Sequence, residues 1–246
     1  MDPGVVIAIA VLMAIGAALY SSVGHGGASA YLAIMALFAV APEVMKPTAL
    51  ALNLLVAGFG AWRYSSQGLS NWKLVLAFAV TATPAAFIGG GIHLPPLYYK
   101  PLVGILLWMA SLRLLWQPTR LAERETRSPS LAVTLPVGAV LGLLAGLTGT
   151  GGGIFLSPLI ILLAWEEPRR TSGVVSAFIF LNSAAGLAGN VAAFGQLPGE
   201  LPIFMAAVAI GALVGTWLGV SRLPRPWLLR FLGAVLVVAG AKLLFA

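Results

Sequence analysis

Long apolar runs alternate with short polar breaks along the whole chain. The runs fall at about 4–22, 28–40, 46–64, 72–92, 97–116, 131–148, 153–165, 171–195, 201–220 and 227–245. Eight of them hold ~18 to 25 residues, enough at about 1.5 Å per residue to cross a hydrocarbon core of ~30 Å. The runs 28–40 and 153–165 reach only about 20 Å. Each follows a glycine cluster, Gly24-His25-Gly26-Gly27 in one case and Gly149-Thr150-Gly151-Gly152-Gly153 in the other. The pattern predicts an all-α integral membrane protein with about eight full-length transmembrane helices and two short half-helices.

The order of elements in 1–116 recurs in 131–246. Gly24 aligns with Gly149 and Gly27 with Gly152, and after a small gap Leu52-Asn53 pairs with Leu181-Asn182. Residues 1–116 and 131–246 are therefore read as two transmembrane repeats joined by a polar linker, 117–130, that carries Arg120, Glu123, Arg124, Glu125 and Arg127.

Positive charge sets the orientation, because basic loops stay inside. If each short segment returns the chain to the side its partner came from, an outside N-terminus puts Arg63, Lys73, the linker, Arg169, Arg170, Arg222, Arg225 and Arg230 inside. The connection 195–201, with Glu200 and no base, then falls outside. Each half has an odd number of passes, so the repeats are inverted. Inverted repeats with broken helices are the architecture of secondary transporters, whose substrate sits near the midplane.

Composition narrows the function. Hydrophobic residues make up 60% and charged residues 9%, with mean hydropathy +0.99, whereas soluble domains carry about 25% charged residues. The lipid bilayer is the expected solvent. A formal charge of +7 would fit a nucleic-acid partner, but the bases stand singly at the ends of apolar runs, where they act as topology signals. No nucleic acid is expected. Cysteine is absent, which removes disulfides, thiol catalysis and Cys-based metal sites. Met1-Asp2-Pro3-Gly4 lacks a basic n-region, so the first apolar run is expected to be retained.

The chemistry available within the apolar runs is neutral. Asp2, Glu43, Glu123, Glu125, Glu166, Glu167 and Glu200 all lie outside the long apolar cores, which argues against a cation substrate and carboxylate-based coupling. The glycine clusters free backbone N–H groups at helix starts, where the helix dipole favours anions. Glycine also lets a ligand approach the backbone closely.

The candidate substrate-binding residues are Gly24, His25, Gly26, Gly27, Tyr31, Asn53, Thr148, Gly149, Thr150, Gly151, Gly152, Gly153, Ser176 and Asn182. Simple helix packing is the competing reading for the glycines, and interhelical bonding for Asn53 and Asn182. His93, beside Pro95-Pro96, reads as interfacial. Arg63 and Arg113 read as snorkelling to the inner surface, and Trp62, Trp72, Trp108 and Trp116 as interfacial anchors.

Gly149 to Gly153 is not a phosphate-binding loop of the Walker type, since no Gly-Lys-Ser/Thr follows. With no carboxylate pair, Cys–His pair or metal cluster in view, no enzyme, cofactor or metal is expected. A non-transporting membrane scaffold and an anion channel stay open beside a permease.

At these residues the chain resembles the TauE/SafE family of sulfite exporters. The resemblance rests on the paired glycine turns and on the downstream segments Lys46-Pro47-Thr48-Ala49-Leu50-Ala51-Leu52-Asn53 and Ser176-Ala177-Phe178-Ile179-Phe180-Leu181-Asn182-Ser183. It implies a multi-pass permease of the bacterial cytoplasmic (inner) membrane that moves sulfite or related sulfur-containing anions, often outward. Its expected partner is a small anionic substrate, and homo-oligomerisation is left open. Ala28 stands where the second repeat has Gly153, so the first half-site is expected to be the tighter one.

Overall fold

A computed structural model describes residues 2–115, 126–191, 195, 197–220 and 226–245. They form ten helices: α1 (Pro3–Ser21), α2 (Ala28–Leu37), α3 (Pro42–Ser66), α4 (Trp72–Gly91), α5 (Pro96–Leu115), α6 (Leu131–Thr148), α7 (Gly153–Leu162), α8 (Pro168–Gly189), α9 (Leu201–Val220) and α10 (Pro226–Phe245). No strand occurs among the described residues. Eight helices run 18 to 25 residues. Five helices in the described residues are long and apolar enough to cross a membrane. This is a multi-pass membrane fold.

Helix boundaries follow local chemistry. Proline opens α1, α3 and α8, where its missing N–H costs nothing. The Asp2 carboxylate accepts from Gly4 N at 2.7 Å, and the Asn71 side chain accepts from Leu74 N at 3.2 Å to cap α4. The two half-helices are shorter than their apolar runs, at 10 residues each, because both unwind at an alanine in the left-handed region. Ala39 has φ 56° and Ala164 φ 52°. A matching bond closes each end, Val40 N to Met35 O at 2.9 Å and Trp165 N to Ile160 O at 2.9 Å. These bonds offset a strain of about 1–2 kcal/mol for a non-glycine residue there.

Close packing fixes the relative helix directions. A methyl group on Gly138, Gly142 or Gly146 of α6 would run into the carbonyls of Phe78, Ala82 and Ala86 of α4, so these helices run parallel with backbones in contact. Gly211 and Gly215 of α9 meet Ala14 and Ala18 of α1 in the same way. Exchanging the halves maps one parallel pair onto the other.

The α4–α8 pair is also parallel, Phe78 meeting Phe178 and Gly90 meeting Gly186, whereas α3–α8 and α5–α10 are antiparallel. Gly60 faces Ser176 and Gly186 faces Leu50 between α3 and α8. Trp108 Nε1 donates to Val237 O at 3.0 Å and Ser111 Oγ to Gly233 O at 2.8 Å between α5 and α10. Helices that occupy equivalent places in the two halves thus point in opposite directions, which is the inverted arrangement. Trp108 thus also acts as an interhelical donor.

Arg63, Lys73, Arg169 and Arg170 gather at one end, hereafter the basic end. There Asn71 Nδ2 donates to Glu166 Oε2 at 2.5 Å, Arg170 lies 3.9 Å from Glu166, and Arg127 N donates to Ala164 O at 2.8 Å. The distal end carries Asp2, Glu43, His93 and Glu200. The expectations attached to Trp116, Arg120, Glu123, Arg124, Glu125, Arg222 and Arg225 lie outside the described residues, as do the side chains of Arg113 and Arg230.

Candidate functional site: two glycine turns between the repeats

Between α1 and α2 the chain reverses through Gly24 (φ 76°) and Gly27 (φ 97°). Between α6 and α7 it reverses through Gly149 (φ 82°), Gly151 (φ 73°) and Gly152 (φ 79°). These values need glycine. Each turn delivers the N-terminus of a half-helix into the protein interior, and the first turn of a helix leaves N–H groups without intrahelical acceptors.

The carbonyls of both turns are taken up by side chains. At the first turn, Ser172 Oγ donates to Val23 O at 3.1 Å, Ser176 Oγ to Gly24 O at 2.9 Å and Tyr31 OH to Gly26 O at 2.9 Å. At the second, Tyr99 OH donates to Thr148 O at 3.1 Å and Asn53 Nδ2 to Thr150 O at 3.4 Å. The Thr148 and Thr150 hydroxyls lie 3.0 Å apart. Bonded carbonyls repel an anion less, so each turn is left with a donor-rich, electropositive character.

Asn53 joins the two turns. A methyl on Gly26 would overlap its Oδ1, and one on Gly151 would come within 2.7 Å of its Nδ2. Ile179 stands beside it, 3.1 Å from the Gly26 methyl position and 2.8 Å from that of Gly151. Asn53, Asn182 and Ser183 are fully buried. Among the described residues Asn53 Oδ1, both amide atoms of Asn182 and Ser183 Oγ have no hydrogen-bond partner. Buried polar atoms without partners cost about 1–3 kcal/mol each, so such atoms call for a partner, a buried water or a ligand.

Known proteins of similar sequence identify the family. The family model for the sulfite exporter TauE/SafE matches residues 8–243. The chain belongs to the TauE/SafE family. It is 37% identical over 242 residues, covering 97% of this chain and 98% of the relative, to the probable membrane transporter protein y4hK of Sinorhizobium fredii (strain NBRC 101917 / NGR234). It is 27% identical to the probable membrane transporter protein YjnA of Bacillus subtilis (strain 168), covering 92% of this chain and 95% of the relative. No solved structure matches. A TauE/SafE protein is a membrane transporter, not an enzyme.

Within this TauE/SafE chain the sequence candidates fall into distinct places. Gly24, Gly26, Gly27, Gly149, Gly151 and Gly152 form the turns. Asn53 touches both, and Ser176 clasps the first from the opposite repeat. Tyr31 spends its hydroxyl on Gly26 O and braces the turn from below, while Thr148 and Thr150 brace the second. His25 is buried, with Nδ1 3.0 Å from Val23 O and its ring edge-on to Tyr20.

A methyl at Gly153 would overlap Ile179, so the second turn has no room for a side chain where the first has Ala28. Ile179 and Lys46 carry weight that sequence reasoning did not assign. Both stood in the family segments as unmarked positions, and the signal available for Lys46 was a base heading an apolar run.

Proposed function

We propose that this chain is a permease of the bacterial cytoplasmic membrane that exports a small sulfur-containing anion, sulfite or an organosulfonate. Residues 1–116 and 131–246 act as its two moving repeats, and 117–130 as the cytoplasmic linker. The observation that carries the reading is the convergence of two glycine-led helix N-termini on Asn53, with the unpartnered Ser183 beside Gly151 and the buried Asn182 one residue before it on α8. One helix terminus contributes at most ~2 kcal/mol toward an anion. Two termini with three polar side chains gather several donors, which a desolvated ion requires.

The basic end faces the cytoplasm by the positive-inside rule. With the interior negative, anion exit gains ~2.3 kcal/mol per charge per 100 mV. Export therefore needs no coupling ion, in keeping with the lack of carboxylates at the turns. His25, Asn53, Thr150, Ser176 and Asn182 are all under 5% exposed, which favours an occluded carrier over an open channel. In the carrier, the backbone donors of both turns hold the oxyanion, and Asn53, Asn182, Ser176 and His25 orient it.

The test is sulfite efflux from proteoliposomes of the pure protein under imposed voltage, with Gly151→Leu as control. Voltage-dependent efflux that the substitution abolishes is the expected result. Lack of flux for sulfite, thiosulfate and small sulfonates alike would overturn the proposal and favour a non-transporting scaffold.

A further inference from the structure

Lys46 is a base on a membrane-spanning helix, and the anion site described above makes no use of it. Its backbone flanks the second turn: a methyl on Gly149 would come within 2.9 Å of Lys46 O and 3.2 Å of its Cα. Its ammonium reaches toward the distal end and donates to Gly89 O at 3.1 Å, Gly90 O at 2.8 Å and Ile92 O at 3.0 Å. Those carbonyls lie at the C-terminal end of α4, where intrahelical donors run out and the helix dipole is negative; Gly89 O also accepts from Ile92 N at 3.3 Å. All three ammonium hydrogens are used, and the residue is 7% exposed.

Beyond Lys46 lies a cavity of about 80 Å³ lined by Lys46, Glu43, His93, Tyr99 and Asn190. Glu43 and His93 are exposed and form its rim at the distal end. Tyr99 links the cavity wall to the turn through Thr148 O. Asn190, 2% exposed, keeps an Oδ1 without a partner among the described residues. Lys46 thus stands between the second turn and a small cavity beyond it. At the matching place on the basic end, Ser172 lies against Gly24. A charge guards one end and a hydroxyl the other.

We propose that Lys46 is the distal gate of the anion path, shutting the second turn off from the cavity by binding α3 to the C-terminal end of α4. The gate rests on the anion-carrier reading. An oxyanion leaving the turn offers oxygens in place of the three carbonyls, so the ammonium can exchange one set for the other and release α4. A solute without oxygen acceptors offers no such exchange.

The Cys-free chain permits a direct test. Ser183→Cys places a thiol beside Gly151, and an impermeant anionic thiosulfonate is added from either side of oriented vesicles. Removing hydrogen bonds from a charged group shifts such an equilibrium by about tenfold or more. Lys46→Met is therefore expected to speed labelling from the distal side by about tenfold and leave the basic side unchanged.

Equal rates, or a rise from both sides as general loosening would give, overturn the gate. If Lys46→Met yields no monodisperse protein, Lys46→Gln keeps two donors without the charge and is expected to give a smaller one-sided rise. No rise in that variant overturns the gate as well. Sulfite flux through the wild-type chain tests the carrier reading separately. A one-sided rise without sulfite flux upholds the gate and removes sulfite as its cargo.

Discussion

At the first glycine turn the carbonyls of Val23 and Gly24 accept hydroxyls from Ser172 and Ser176 of α8. At the second, the carbonyls of Thr148 and Thr150 accept from Tyr99 of α5 and Asn53 of α3. Each turn is held by the opposite repeat. The two half-sites are therefore not independent cups. A displacement of one repeat against the other loosens both sets of bonds, which ties the shape of the site to the motion that alternating access requires. The turns differ in grip: two serine bonds of 2.9 and 3.1 Å at the first against a tyrosine bond of 3.1 Å and an amide bond of 3.4 Å at the second.

The largest predicted effect compares Gly24→Ala with Gly149→Ala. Both force a side chain into positive φ, costing about 1–2 kcal/mol. Both also face backbone, but Gly24 far more closely, since its methyl would overlap Ser172 Cβ and sit 2.5 Å from Ser172 Cα and O. Gly149 has 2.9 Å to Lys46 O. Gly24→Ala should lose most of its folded yield in detergent, while Gly149→Ala remains folded with a lowered Tm. Equal thermal stability of the two variants would show that the first turn is not held more tightly.

The next effect separates stability from transport. Asn53 bonds across the repeats, whereas Asn182 is buried with its amide unpartnered among the described residues. Asn53→Leu should lower both Tm and flux. Asn182→Leu removes an unsatisfied amide worth about 1–3 kcal/mol, so Tm should hold or rise while sulfite flux falls at least about tenfold. A fall in Tm for Asn182→Leu would make it an ordinary interhelical bond.

Much of this arrangement is legible along the chain, and the reason is local. Glycines that must adopt positive φ, ten-residue helices and a repeated Leu-Asn pair are each written in a few consecutive residues. What was not legible depends on distant approach. Lys46 finds its carbonyls on α4, and Ile179 acquires its place only when α8 passes both turns. The glycine ladder of α6 has the same spacing in any helix, and only the carbonyls of α4 give it meaning. Half-helix ends were misjudged because Val40 and Trp165 are as apolar as the helix before them. A left-handed alanine ends each helix without a polar signal.

Smaller effects are expected from single clasps. Ser176→Ala removes one bond to Gly24 O and Tyr99→Phe one bond to Thr148 O, each about 0.5–1.5 kcal/mol. Ser172 still holds the first turn at 3.1 Å after Ser176→Ala, whereas only the longer Asn53 bond at 3.4 Å still holds the second after Tyr99→Phe, so Tyr99→Phe should lower Tm and flux more. The reverse order, read by thermal melting and efflux rate, would locate the weaker grip at the first turn.

The smallest effect is expected at His25, and it bears on direction. Imidazole is the side chain that ordinarily changes charge near neutral pH, and His25 is the one histidine among the described residues that lies at a glycine turn. An importer driven by protons would need such a group, whereas voltage-driven anion exit needs none. His25 Nδ1 lies 3.0 Å from Val23 O, so donation from Nδ1 braces the backbone just before Gly24. His25→Gln keeps an N–H donor for that carbonyl but does not titrate. Flux should fall only a few-fold, at about the cost of one weakened bond, and the pH profile of transport should keep its shape. A profile that flattens in His25→Gln would assign His25 to proton coupling and turn the first half-site, unlike the second, into the coupled half of the carrier.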